Sequence, residues 1–419
     1  MPQPPSRRLE ILAWVLYDWA NSAYSTLLIT LVLYYVQEVV LPGRAGAVAF
    51  AWAIAAAMFL AAVLSPLVGA VADAQRSKRR WLAVTALGGS AAALLMAAIP
   101  SQHAWLILPT LVVMNLLFDL SIVPYNGFLR EIADEQTMNR ISAWGFAAGY
   151  VGGSVPLLLF GALVLFGAQL GLPSPAQQGR AGLVILGLWW GLFSLPAVLV
   201  LRDRGEPLAA PRPLPQAMRQ AATEVRRTLA NVRLYPLVAT FLLAYLFYKH
   251  GIQTVITQAN TVAVRELKFG LLDLVWFVLM IQLVALPGTL IIGRLADRLG
   301  ARATLLGCLA VWCALVVAAM FVQTQTGFWL LGAVLALVLG GTQAVSRALM
   351  GTLTPPEHAA EFFGFFNLSG KAASFLGPAQ FGLVIALTGN ARWASASLLI
   401  FFLLGAFLLA RVDHHVSGH

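Results

Sequence analysis

GRLADRLGARAT at residues 293–304 repeats an earlier segment, GAVADAQRSKRR at 69–80. Gly293 matches Gly69 and Asp297 matches Asp73, at a constant offset of 224 residues. Each copy follows a long apolar run and carries basic residues. A second pair, NGFLREIADEQTMNRISAWGFAAGYVGGSVPLLLFG (126–161) and RALMGTLTPPEHAAEFFGFFNLSGKAASFLGPAQFG (347–382), aligns without a gap. Here the offset is 221, with Gly149 on Gly370 and Gly161 on Gly382. Tyr17-Asp18 aligns in the same way with Tyr248-Lys249. The sequence therefore reads as one unit duplicated in parallel.

The repeated unit consists of spans. A bilayer is crossed by about 20 apolar residues, and twelve runs qualify. They fall near 11–36, 47–72, 81–99, 104–124, 141–166 and 182–201, then 235–261, 269–293, 303–322, 328–350, 362–387 and 392–411. The expected fold class is an all-α membrane protein with twelve transmembrane helices in two pseudo-symmetric six-helix bundles. The expected domains are 1–201, a Pro- and Arg-rich linker at 202–234 with an interfacial helix in its second part, and 235–419. Of 419 residues, 60% are hydrophobic and 11% charged, against about 25% charged in soluble domains, so bilayer is the expected solvent.

A net charge of +10 invites a nucleic-acid reading. The placement of the basic residues excludes it, because they stand in short clusters between spans. With the N-terminus cytoplasmic, 20 of the 27 Lys and Arg residues lie on the cytoplasmic side and 5 on the other. The positive-inside rule then places both termini in the cytoplasm. The short termini suit a bacterial inner membrane, and the chain is expected to act as a monomer. Cys308 and Cys313 share one apolar run and read as small buried residues. No nucleophile sits beside a base, and no glycine loop cradles phosphate. His414, His415 and His419 are too few for a metal site. Neither cofactor, metal nor enzyme activity is expected.

Ionisable groups inside spans are the candidate functional residues, because each is costly in hydrocarbon unless it faces protein or water. WVLYDWANSAYS (14–25) places Asp18, Asn21, Ser22 and Ser25 on one helix side, with Tyr24 next to them. On the fourth span Asn115 and Asp119 lead to Tyr125 and Asn126. On the seventh, Tyr245, Lys249, Gln253, Thr257 and Asn260 form a polar stripe, with His250 beside Lys249. Gln343, Ser346 and Arg347 share a face of the tenth span, and Lys371 lies on the eleventh. The first half thus carries acids and the second carries bases. Such opposite charges can pair across a central cavity, where a solute or proton competes for them. Asp18, Asp119 and His250 are the proton-coupling candidates. Gly145, Gly149 and Gly153, and then Gly370, Ser374, Pro378 and Gly382, are small-residue stripes for close helix packing. Pro156 and Pro378 are candidate kinks.

GRLADRLGAR closely resembles the loop signature of the major facilitator superfamily. YDWANSAYST, PYNGFLREIA, ISAWGFAAGYVGG, GGTQAVSRALMGTLTP and EFFGFFNLSGKAASFLGP resemble a narrower branch, the autophagy-related vacuolar amino-acid effluxers and their bacterial relatives. The resemblance implies twelve helices, permease activity, and a cavity lined by spans one, four, seven and ten. It implies that Asp297 caps a neighbouring helix and pairs with arginine; Asp73 and Asp297 are each expected to bond to helix termini or arginines, with Arg79, Arg80, Arg298 and Arg302 as gating residues. For the fungal members it implies export of amino acids. The chain departs from its relatives at Lys249-His250-Gly251, where they carry Asn-Asp-Gly. The expected function is secondary transport of a small solute by alternating access: an amino acid or related zwitterion, with proton coupling. The alternatives are export of an anionic or amphipathic solute, and a transporter-shaped receptor without flux.

Overall fold

A chain crossing hydrocarbon must satisfy its backbone N–H and C=O groups internally, and for apolar runs of this length the helix does so. The computed structural model describes residues 5–204, 213–230, 232–265, 267, 269, 271–388 and 391–412, and all regular structure among them is helical. The first half holds α1 (Pro5–Leu27), α2 (Arg44–Ala74), α3 (Lys78–Ala98), α4 (Ala104–Ile132), α5 (Met138–Phe166) and α6 (Pro175–Val200). The shorter α7 (Leu214–Ala230) follows. The second half holds α8 (Pro236–Arg265), α9 (Leu271–Leu299), α10 (Ala301–Ala319), α11 (Gln325–Leu353), α12 (Ala359–Thr388) and α13 (Ala391–Ala410). Ten of these helices are long and apolar enough to span a membrane, counted over described residues; α8 and α12 are 30 residues each. Residues 205–212 of the linker and His414, His415 and His419 lie outside the described residues, as do the side chains of Asn260 and Pro378.

Local chemistry sets the ends. Ser174 accepts from Gln177 N at 3.3 Å, and the Gln177 side chain bonds back to the Ser174 N–H at 3.2 Å. This capping box, with Pro175 at the first helical position, starts α6. Inside the spans, hydroxyls are satisfied by the preceding turn, as in Ser65 to Ala61, Ser194 to Trp190 and Thr289 to Ala285, each 2.6 Å. The α1 span is longer than expected. It runs on past Leu27 through π-helical turns at Leu28–Val32 and Tyr35–Val40. Trp52, Leu165, Phe321 and Leu387 are largely exposed, an apolar surface suited to lipid.

The duplication is visible in helix pairing. In the first half α1 packs on α6, α2 on α4, and α3 on both α4 and α6. In the second, α8 packs on α13, α9 on α11, and α10 on both α11 and α13. The compact units nevertheless depart from the sequence halves expected at 1–201 and 235–419. Unit 1 comprises 1–132, 148–222 and 357–364; unit 2 comprises 133–147, 223–356 and 365–419. The start of α12 thus belongs to unit 1, and the start of α5 to unit 2. Each start is fastened by polar groups described below.

Within unit 1, α5 lies directly on α1. A Cβ on Gly152 would stand 2.2 Å from the Trp19 carbonyl oxygen, and one on Gly149 would stand 2.5 Å from Ser22 Oγ. Only the absence of a side chain permits this approach. Gly161, on the same helix, has nothing within 4 Å of its Cβ position. Gly152→Ala should therefore destabilise the protein by about 1–3 kcal/mol through overpacking against backbone. Gly161→Ala should be neutral. Thermal unfolding of both variants in detergent checks this, and equal midpoints would refute the packing account.

Candidate functional site

The polar groups of unit 1 lie on α1 and α4. Asp18 is 7% exposed and Asn21 5%. Asn21 Nδ2 is buried and finds no acceptor among the described residues. Further along α1, Tyr24 Oη donates to Asn115 Oδ1 at 3.0 Å, and Asn115 Nδ2 donates to Asp119 Oδ2 at 3.2 Å. The Tyr24 ring packs on Phe118 and Trp190. Toward the other end, Trp14 Nε1 donates to the Tyr125 carbonyl at 2.8 Å, and the Tyr125 ring stacks on Trp14 with centroids 4.6 Å apart. Asn126 is buried, with Oδ1 lacking a donor among the described residues. All six unit 1 residues expected on the solute are buried on α1 and α4. Tyr24 and Asp119 are joined by one hydrogen-bonded chain through Asn115.

In unit 2, Lys249 Nζ donates to Gln343 Oε1 at 3.2 Å, and the positive charge of Lys371 acts on it. Tyr245 stacks on Phe366 with centroids 4.1 Å apart. Gln253 is partly buried one turn beyond Lys249. His250 lies on another face of α8: its ring stacks on Phe401 at 4.0 Å and Nε2 stands 3.4 Å from Gln380 Oε1. Arg347 is 4% exposed and fastened to α5. Nε donates to Ser142 Oγ at 2.9 Å, Nη2 donates to the Ser142 carbonyl at 2.7 Å, and Cζ lies 4.2 Å over Phe146.

The two loop aspartates, Asp73 and Asp297, occupy matching positions in the two units. Asp73 Oδ2 accepts the backbone N–H of Glu361 at 2.8 Å, at the start of α12. Asp297 takes hydrogen bonds from the Asn139 side chain and the Arg140 backbone, at the start of α5. Glu361 and Arg140 are related by the 221-residue offset found in the sequence. Close approach repeats as well. A Cβ on Gly69 would meet the Ala360 carbonyl at 2.1 Å, and one on Gly293 would meet Ala143 Cβ at 2.4 Å. Arg76 adopts φ +48° where the second copy has Gly300 at φ +87°, so one left-handed residue ends the helix in both.

The cation beside Asp73 is a lysine, not an arginine. Lys78 Nζ stands 3.1 Å from Asp73 Oδ1 and 2.7 Å from Glu131 Oε1. Arg79, Arg80 and Arg298 are exposed, and Arg302 donates to the Ala410 carbonyl. The reason is reach. Lys78 opens α3 beside the end of α2, whereas Arg79 and Arg80 turn outward on the same helix. The network continues from Glu131 Oε2 to Arg204 N at 3.2 Å, and from Arg204 Nη2 to Glu10 Oε2 at 2.6 Å. Asp203 caps α3, accepting from Lys78 N at 2.7 Å and Arg79 N at 3.3 Å. The distribution of bases by membrane side includes Lys78 and Arg204 but assigns them no partners, and it is silent on the acids Glu131, Asp203 and Glu10. The available signal was the acids in REIADE (130–135) on a side otherwise basic. Ser142 and Asn139 carried no signal, since short polar residues near a span end are common.

Two outcomes follow from this network. Lys78→Met removes the cation between two buried carboxylates and should cost about 3–5 kcal/mol. The double variant Lys78→Met/Glu131→Gln should recover part of that loss in thermal unfolding; no recovery would show that the two groups are not coupled. Next to it, His358 Nδ1 stands 3.2 Å from Glu361 Oε2. The hydrogen bond to Glu361 lifts the His358 pKa above its usual 6.5; burial opposes this, and the charges of Glu361, Asp73 and Glu357 add to it. A raised folded pKa stabilises fully below the unfolded value, and the contribution is lost as pH rises through the folded pKa. Wild type should therefore exceed His358→Gln in melting temperature at about pH 6 and match it at about pH 9. A gap that is constant with pH would refute the assignment.

Comparison with known proteins agrees with this architecture. A family model described as "Vacuole effluxer Atg22 like" matches residues 44–418. The chain is 34% identical over 411 residues to an uncharacterized MFS-type transporter, YxiO, of Bacillus subtilis, covering 97% of this chain and 95% of that protein. It is 28% identical over 296 residues to autophagy-related protein 22 of Cryptococcus neoformans, covering 66% of this chain and 53% of that protein, so the fungal protein is matched over about half its length. In structure it is similar to the human organic anion transporter MFSD10, with a TM-score of 0.72, 16% identity, and coverage of 97% and 100%. That likeness shows the fold. The chain belongs to the Atg22-like effluxer family of the major facilitator superfamily, and it is a multi-pass membrane protein.

Proposed function

We propose that the protein is a secondary transporter that moves a small zwitterion, an amino acid or a close relative, by alternating access with proton coupling. The observation that carries this reading is the pairing of Asp18 with Asn21 inside a membrane-spanning helix. A carboxylate at 7% exposure stands one turn from a side-chain amide whose Nδ2 donor has no acceptor among the described residues. A carboxylate suits a solute ammonium, and it also suits a proton that leaves when the ammonium arrives. Family membership supports transport as the class of activity, since the matched model is an effluxer model. The caps at Asp73 and Asp297 are the contacts that hold one transport state. The chain works as a monomer in a bacterial plasma membrane with both termini cytoplasmic, which the distribution of Lys and Arg supports. A purely anionic solute is the second reading, favoured by the neighbouring charges of Lys249 and Lys371.

The test is transport in proteoliposomes against an amino-acid panel, with and without a pH gradient. Loss of a charge-assisted hydrogen bond is worth about 1.5–3 kcal/mol. Asp18→Asn should therefore lower transport roughly ten- to a hundredfold and abolish its response to the gradient. Transport by Asp18→Asn at the wild-type rate with unchanged pH response would make Asp18 structural and overturn the reading.

A further inference from the structure

We propose that Lys249, Lys371, Gln343 and Tyr245 form a subsite in unit 2 that binds the carboxylate of the solute. The proposal rests on the transport reading above and deepens it. It begins from a charge imbalance. Among the described residues, Lys249 has no carboxylate partner: its acceptor is the neutral Gln343 Oε1, and the charge that acts on it is another cation, Lys371. An ammonium held inside a membrane-spanning helix is costly without a counter-charge. A second positive charge acting on it raises that cost, so Lys249 is a group that an anion stabilises.

The donors fit a carboxylate. A lysine ammonium has three N–H groups, and one is used on Gln343. The amide oxygen of Gln343 is occupied by that bond, which leaves its NH2 as a donor. Tyr245 directs its hydroxyl toward α12, 3.5 Å from the Cβ position of Gly370, the residue before Lys371. Lys249, Gln343, Gly370 and Lys371 are all half-buried, a degree of exposure that admits a small solute. The stacked rings of Tyr245 and Phe366 form an apolar wall beside the donors. Donors on one side and an aromatic face on the other suit a small organic acid better than a fully hydrated inorganic anion.

The position also separates the two halves of this chain. Lys249 aligns internally with Asp18, so the duplicated position carries opposite charges in the two units. A solute with a carboxylate alone needs only unit 2.

The experiment is equilibrium binding to the purified full-length protein of four probes: leucine, leucinamide, 4-methylpentanoate and inorganic phosphate. Wild type should bind leucine and 4-methylpentanoate. Lys249→Gln and Lys371→Gln should each weaken both by roughly tenfold or more and leave leucinamide unchanged, which also shows that the variants are folded. Lys249→Arg should retain most of the carboxylate affinity. Asp18→Asn should weaken leucinamide, the test of the ammonium reading, but spare 4-methylpentanoate. If the lysine variants act and Asp18→Asn does not, the carboxylate subsite stands and the ammonium reading falls. Unchanged carboxylate affinity in both lysine variants would overturn the proposal. Equal losses for leucinamide, no carboxylate binding by wild type, or phosphate binding tighter than that of either carboxylate would also overturn it.

Discussion

The bond from the Glu361 N–H to Asp73 answers a constraint that governs the whole chain. The first N–H groups of a helix have no partner within the helix. Where such an end is buried, something else must accept from it. The start of α12 is buried in unit 1, with the backbone of Ala360 against Gly69 and Gly127. Asp73 supplies the acceptor at 2.8 Å. A cap of this kind is worth about 0.5–2 kcal/mol. It also attaches a segment to a unit remote from it in sequence. The mirrored bond from Arg140 N to Asp297 does the same for the start of α5. The two helix starts that the compact units exchange are thus both capped by a carboxylate from the unit they join.

A carboxylate so placed creates its own demand, and the two copies meet it differently. Asp73 is nearly fully buried and shares Lys78 with Glu131, which is itself held by Arg204. Asp297 lies nearer solvent and is served by Asn139 and Arg140. The second copy has Arg302 at the position of Lys78, and it turns to a carbonyl on α13 instead. One cap is thus embedded in an ionic network and the other is solvated. Titratable His358 adds a further difference, because its counterpart at the 221-residue offset is Thr137, which bonds to Asp134 as part of a local turn. Duplicated backbones have kept their geometry while the charges around them diverged.

Divergence is also the rule for groups within the spans. Tyr17 and Tyr248 occupy equivalent positions and both are buried, one against Tyr125 and the other bonded to Ser346. The next residue is an acid in one half and a base in the other. Arg347 aligns with Asn126, yet the first is clasped by Ser142 and Phe146 while the second is buried with no donor to its side-chain carbonyl among the described residues. Packing residues are constrained by shape, which duplication preserves. Charged residues are constrained by the partner they meet, which each half can replace separately.

The helical fold, the number of long helices and the duplication were all legible in the sequence. They depend on run length, apolar content and periodic spacing, and in a bilayer those quantities leave the backbone few alternatives. Gly69, Gly293, Asp73 and Asp297 could be located for the same reason, since a repeated motif marks a repeated geometry. The identity of the partners was not legible. That Asp73 takes Lys78 and not arginine, that Arg347 is held by Ser142, and that His250 turns to Phe401 while Lys249 faces Gln343 depend on which helix faces which. A side chain a few ångströms from its partner in space can be 50 to 200 residues from it in the chain, as with Lys78 and Glu131 or Ser142 and Arg347. Spacing along one helix defines the face a residue occupies; only tertiary packing decides what that face meets.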